Sequence, residues 1–164
     1  MKNNKTKIYI TALIVVALDQ LVKLLVKTNF KLHEELELIP SFFSLHYLEN
    51  DGAAFSILQD KTYLLILVAL ICLIFMIYYI QKEKSFSKLS SISTGLILGG
   101  ITGNLLDRIF YKKVIDFLSF TFFTYSFPVF NIADIGITVG VVLLLIYYFL
   151  EEKNESRKNQ IKEN

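Results

Sequence analysis

The sequence has no tryptophan, one cysteine, two prolines and two histidines in 164 residues. A single cysteine, Cys72, excludes an intramolecular disulfide and any multi-cysteine metal site, and leaves the redox compartment unread. It lies inside an apolar run with no partner base near it in sequence. Apolar burial disfavours a thiolate, so a buried packing role is expected for it rather than a nucleophilic one. His33 and His46 lack the spacing of a metal-binding pair and read as exposed or hydrogen-bonded surface side chains. The formal net charge of +2 is too small to point to a nucleic-acid partner. Internal repeats and low-complexity tracts are absent.

What the chain has instead is apolar length. Hydrophobic residues make up 54% of it, above the roughly 45–50% of soluble domains, with a mean hydropathy of +0.50. A hydrocarbon core needs about 20 mostly apolar residues to be crossed by a helix. Segments near 7–27, 62–80, 89–110 and 132–150 meet or nearly meet that length. The expected architecture is an all-α membrane protein of four transmembrane helices in one domain, residues 1–150, followed by a charged, solvated and partly disordered tail, 151–164. Lys2, Lys5 and Lys7 before the apolar run, with Val15-Val16-Ala17 as a faint cleavage site, also suit a signal peptide. The apolar pattern continues through Leu21, Val22, Leu24, Leu25 and Val26, and the segment is read as a retained helix.

Lysine and arginine in short loops favour the cytoplasmic side. Lys82, Lys84 and Lys88 between the second and third segments belong with the basic N-terminal and C-terminal ends. Both termini are therefore expected inside, with connections 28–61 and 111–131 outside. In the first connection, Phe43, Leu45 and Tyr47 alternate with more polar neighbours and Asp51-Gly52 is a turn dipeptide, so a small extracytoplasmic sheet or hairpin over the helix ends is expected. The second connection is read as a loop rich in phenylalanine that suits an interfacial belt or substrate contact.

The polar residues inside the apolar segments all fall at the outer ends under this topology. Asp19, Gln20 and Lys23 are late in the first helix; Asn104, Asp107 and Arg108 end the third; Asn131 and Asp134 open the fourth. Ionisable groups at such positions are costly and read as functional by default. Asn104, Asp107 and Arg108 share a helix face, as do Asn131 and Asp134, and Asp19 and Lys23 have the spacing of a neutralising pair. Arg108 suits either a carbonyl or carboxylate oxygen or a pairing with Asp107 or another helix. Gly95, Gly99 and Gly103 recur every four residues and should let the third helix approach the first or the fourth closely. Asp116 stands between Ile115 and Phe117 in a short loop segment, where apolar surroundings raise a carboxyl pKa. If Asp116 and Asp134 approach, repulsion makes them share one proton, supplying a general base and a general acid for attack by water on an amide.

Asp19-Gln-Leu-Val-Lys23, Asn50-Asp-Gly-Ala-Ala-Phe55, Gly103-Asn-Leu-Leu-Asp-Arg108, Val114-Ile-Asp-Phe117 and Phe130-Asn-Ile-Ala-Asp134 resemble, in order and spacing, the motifs of the bacterial lipoprotein signal peptidase (signal peptidase II) family. The resemblance implies an aspartic endopeptidase of the bacterial inner or plasma membrane. Asp116 and Asp134 map onto the family's catalytic dyad. Asp19, Lys23, Asn50, Asn104, Asp107, Arg108 and Asn131 map onto residues that support it or line the substrate site. Gly52, with Ala53 and Ala54, is small enough for close approach of substrate or backbone, or for a turn. The implied substrate is a prolipoprotein carrying diacylglycerol on its lipobox cysteine, cut just before that cysteine. The implied partners also include membrane lipid and, as inhibitors, cyclic peptides such as globomycin; no metal, other cofactor or nucleic acid is implied. Two other classes suit the composition: a small transporter or proton or cation conductor using the intramembrane aspartates, and a non-catalytic binding scaffold.

Overall fold

A computed structural model of the chain describes residues 4–52 and 58–163. Ala53, Ala54 and Phe55 lie outside the described residues. Four helices are long and apolar enough to cross a membrane. They are α1 (Lys5–Asn29), α2 (Thr62–Lys82), α3 (Lys88–Tyr111) and α4 (Ile132–Glu163). Between α1 and α2 lie β1 (Glu35–Ile39) and β2 (Phe43–Asn50); between α3 and α4 lie β3 (Val114–Phe122) and β4 (Tyr125–Ser126). The chain is a multi-pass membrane protein with a small antiparallel sheet at one end of its bundle.

Neither α1 nor α2 contains a glycine or proline, so nothing in their sequence interrupts the backbone ladder. The start of α3 is set by Ser87, whose hydroxyl accepts from the Ser90 amide at 3.0 Å. Its end is set by Lys112, which turns into the left-handed region at φ 63°. Leu13, Ile74, Phe75 and Leu145 stand about two-thirds exposed, as expected of side chains facing lipid rather than a protein core. Cys72 is among the outward-facing residues of α2, contrary to the buried role expected from its apolar run. Apolar neighbours in sequence do not imply burial in a membrane helix, because the bilayer solvates that face. Only Ile80 of α2 is fully enclosed.

Glycine replaces large side chains where α1, α3 and α4 meet. A Cβ at Gly95 or Gly99 would lie 2.6–2.7 Å from a carbonyl oxygen of α1, and one at Gly100 would lie 2.3 Å from the Ala133 carbonyl oxygen of α4. The glycine face of α3 therefore meets α1, while Gly100, Gly136 and Gly140 bring α3 against α4. Close contact between backbones is the main attraction available to helices whose apolar surfaces are equally at home in lipid.

The sheet has the order β1-β2-β3-β4, every neighbour antiparallel. The hairpin expected between the first two helices is present, but the second connection supplies the other strands and is not an irregular loop. The residues of β3 are β-branched or aromatic at most positions, and their alternation was obscured because both faces are covered. Ile115 and Phe117 pack with Val26 of α1 and Tyr47 of β2, which ties the sheet to the bundle. The segment expected to be a disordered tail continues α4 to Glu163. It contains no glycine or proline and consists largely of good helix formers.

Gly100→Val should force α3 and α4 apart at a backbone contact and cost about 1–3 kcal/mol, read as a lowered melting midpoint in detergent. Gly136→Ala, whose Cβ would meet its nearest atom at 3.2 Å, should cost distinctly less.

Candidate active site

Asp134 is placed by the way α4 begins. Pro128 precedes the helix, and Asn131 caps it: the Asn131 side-chain oxygen accepts from the Asp134 amide at 3.0 Å, while Asp134 Oδ2 accepts from the Asn131 amide at 3.2 Å. This reciprocal arrangement is a capping box built from Asn and Asp. One carboxylate oxygen is thereby committed to the backbone. The other, Oδ1, accepts from Asn104 Nδ2 of α3 at 2.7 Å.

Asp116 is placed by β3. Period-two alternation sends Ile115 and Phe117 towards α1 and Asp116 to the opposite face. Its Oδ1 accepts from Asn131 Nδ2 at 2.7 Å and its Oδ2 from Asn50 Nδ2 at 3.0 Å. Phe130, just before the cap of α4, is bonded to β3: the amides of Phe117 and Leu118 donate to its carbonyl, and its own amide donates to the Leu118 carbonyl at 3.1 Å. Sheet pairing thus brings the start of α4 beside Asp116.

The two aspartates face one cavity of about 570 Å³, together with Asn50, Asn104 and Arg108 at its polar end. Ile137, Thr138, Phe127 and Pro128 are among its other walls, so a charged end opens onto an apolar one. Arg108 Nη2 donates to the Gly52 carbonyl at 2.8 Å, and the Gly52 amide donates to Asn50 Oδ1 at 2.9 Å. Of the alternatives open for Arg108, the structure has it holding a main-chain carbonyl of its own chain. The Gly52 peptide is thus held by Arg108 on its carbonyl and by Asn50 Oδ1 on its amide, while Asn50 Nδ2 reaches Asp116.

Below the cavity floor lies a buried charge cluster. Lys23 is 1% exposed, with Nζ 2.7 Å from Asp19 Oδ2, 2.8 Å from Asp107 Oδ2 and 3.0 Å from Asn104 Oδ1. Gly103 makes room for it, since a Cβ there would lie 2.7 Å from Asp19 Oδ2. Asp19 Oδ1 also accepts from the Ala133 amide at 2.9 Å, and Asp107 Oδ2 from the Ile115 amide at 3.2 Å.

Burial pushes the Asp116 carboxyl up to about 7, and repulsion from Asp134 adds to it; hydrogen bonds from Asn50 and Asn131 and the charge of Lys23 oppose the shift. A carboxyl in that range exchanges its proton at neutral pH and meets the requirement for acid–base chemistry. Among the described residues, no group of three or more His, Cys, Asp or Glu side chains is arranged to hold a metal ion.

A family model described as Signal peptidase (SPase) II matches residues 11–150. The lipoprotein signal peptidase of Symbiobacterium thermophilum is 42% identical over 144 residues, covering 88% of this chain and 95% of that protein. That of Listeria monocytogenes serotype 4a is 41% identical over 145 residues, covering 88% and 94%. The chain belongs to the signal peptidase II family. A solved structure described as a bacterial membrane enzyme, determined by the in meso method at 2.3 Å resolution, superposes with a TM-score of 0.83 at 34% identity, covering 91% of this chain and 90% of that one. A second, described in the same way at 1.9 Å, gives 0.78 at 34% identity over 87% and 92%. These matches favour a membrane peptidase over an ion-conducting protein.

In this signal peptidase II, ten of the residues singled out from the sequence fall in one bonded network: Asp19, Lys23, Asn50, Gly52, Asn104, Asp107, Arg108, Asp116, Asn131 and Asp134. Gln20 was grouped with the polar residues late in the first helix but given no role of its own. Its Nε2 donates to Asp107 Oδ1 at 2.9 Å and to Asp19 Oδ2 and the Gly103 carbonyl at 3.2 Å. The available signal was an amide directly beside a buried carboxylate in an otherwise apolar helix. Also missed were Ile137 and Thr138, which lie one turn along α4 from Asp134 and line the cavity.

Asn131→Ala removes the cap of α4 and a donor to Asp116. It should cost roughly 1–3 kcal/mol, seen as a lower melting midpoint of the purified protein in detergent.

Proposed function

We propose that this signal peptidase II removes the signal peptide of prolipoproteins as an aspartic peptidase, with Asp116 and Asp134 as its catalytic dyad. The carrying observation is that both carboxylates face one cavity, each held by an asparagine amide, with one carboxyl raised to about 7. The resting pair holds one proton and titrates as a unit. One carboxylate of the pair draws a proton from a water molecule as its oxygen bonds to the scissile carbonyl carbon, and the protonated member donates to the carbonyl oxygen. The tetrahedral intermediate then collapses: the C–N bond breaks, the departing nitrogen takes the proton drawn from water, and the donor recovers its own.

The substrate is a precursor whose cysteine carries diacylglycerol, cut just before that cysteine. The cavity supports this reading because its polar end opens onto apolar walls at the sheet end of the bundle. A peptide bond and the acyl chains tethered next to it have opposite solvent preferences, and such a site meets both. The loop lysines favour both termini in the cytoplasm and this end of the bundle at the outer surface of the bacterial membrane. Globomycin-type cyclic peptides are expected to compete with substrate for the same cavity.

Asp116→Asn and Asp134→Asn should each reduce cleavage of a lipidated precursor by roughly 10³-fold or more while leaving the protein in the membrane. Retained cleavage by both purified variants would contradict the dyad. The wild-type rate should fall as pH rises through about 7, because the pair then loses the proton its acid must donate. A rate independent of pH between about 5 and 9, roughly two units either side of that value, would count against a shared proton.

A further inference from the structure

We infer that Lys23 is a positioning residue that registers Asp116 against Asp134, acting from a helix that contributes no residue to the cavity wall. An ammonium has three donors and no acceptor. Here all three are used, on Asp19, Asp107 and Asn104. Each acceptor passes the restraint on to a reacting carboxylate. Asp19 holds the amide of Ala133, the residue before Asp134. Asp107 holds the amide of Ile115, the residue before Asp116. Asn104, with its oxygen held towards the ammonium, has only its Nδ2 left to face Asp134 Oδ1, at 2.7 Å.

The same Asn104 oxygen also accepts from Asn131 Nδ2 at 3.1 Å, and that nitrogen donates to Asp116 Oδ1. Both amide orientations are thereby determined. A flipped Asn104 would set its NH₂ against the ammonium and its oxygen against the Asp134 carboxylate. Neutralising buried charge needs one carboxylate for one ammonium. The presence of two, each bonded to the peptide next to a different member of the dyad, is what a spacing device requires. Two elements with no covalent closeness, strand β3 and helix α4, are held in register by a single cation on α1.

This inference rests on the proposed dyad and is tested with the purified full-length enzyme in detergent, cleaving a synthetic lipidated precursor. Lys23→Met and the double variant Lys23→Met with Asp107→Asn are compared with wild type, Asp116→Asn and Asp134→Asn. The double variant leaves the net charge of the cluster unchanged, so it separates position from charge imbalance if the single variant folds poorly. Thermal melts provide the folded fraction to which kcat is normalised. Misplacement of a reacting group by about 1 Å costs on the order of 100-fold, and a fall of that size in kcat is expected for both variants, with KM changed less than about threefold. A purely structural lysine would lower the melting midpoint and leave kcat per folded enzyme intact. Wild-type kcat in the folded double variant overturns the inference while leaving the dyad standing, provided the two Asp→Asn variants are inactive. Active Asp→Asn variants overturn the dyad and this inference with it.

Discussion

A lysine ammonium enclosed at 1% exposure between two carboxylates is the constraint from which the rest of the structure follows. Removing such charges from water costs several kcal/mol each, which only close pairing and further hydrogen bonds offset. The remaining oxygens are accordingly bonded, Asp19 Oδ1 to the Ala133 amide and Asp107 Oδ1 to Gln20, and the lysine-bound oxygens also accept from Gln20 and the Ile115 amide. Because these partners lie on α1, α4 and β3, and Asp107 itself on α3, satisfying the charges fastens four elements together. Glycines make this possible, since a side chain at Gly103 would occupy the space of the Asp19 carboxylate.

The proposed catalytic pair is held mainly by amides. Asp116 is almost fully buried, and that burial, with repulsion from Asp134, raises its carboxyl to about 7 against the opposing amides of Asn50 and Asn131 and the charge of Lys23. Asp134 has one oxygen engaged by the backbone it caps and the other by Asn104. Asparagine side chains thus hold both members of the proposed pair, Asn50 and Asn131 on Asp116 and Asn104 on Asp134. They supply donors that orient a carboxylate.

Helix number and approximate ends were legible from apolar length, because the bilayer imposes the same requirement on any spanning segment. The hairpin of β1 and β2 was legible from alternation and a turn dipeptide. Strand β3 was not, since Val114 to Phe117 are covered on both faces and show no polar alternation. The continuation of α4 to Glu163 was hidden by its charge, which signals solvation without specifying conformation. Cys72 misled for a reason specific to membranes: an apolar setting in sequence is shared by lipid-facing and enclosed positions alike.

The sequence alone determined which polar groups gather, since isolated polar groups among long apolar runs have no solvent to satisfy them and must find one another. Family motifs then attached a chemistry to Asp116 and Asp134. Tertiary structure decided the partnerships. Asp19 and Lys23 show the spacing of a pair, but nothing in that spacing says that Asp107 joins them, or that their remaining bonds reach the peptides beside Asp116 and Asp134. Those contacts join residues up to 114 positions apart in the chain. They exist only because glycine-lined helices approach closely enough for a hydrogen bond to span the gap.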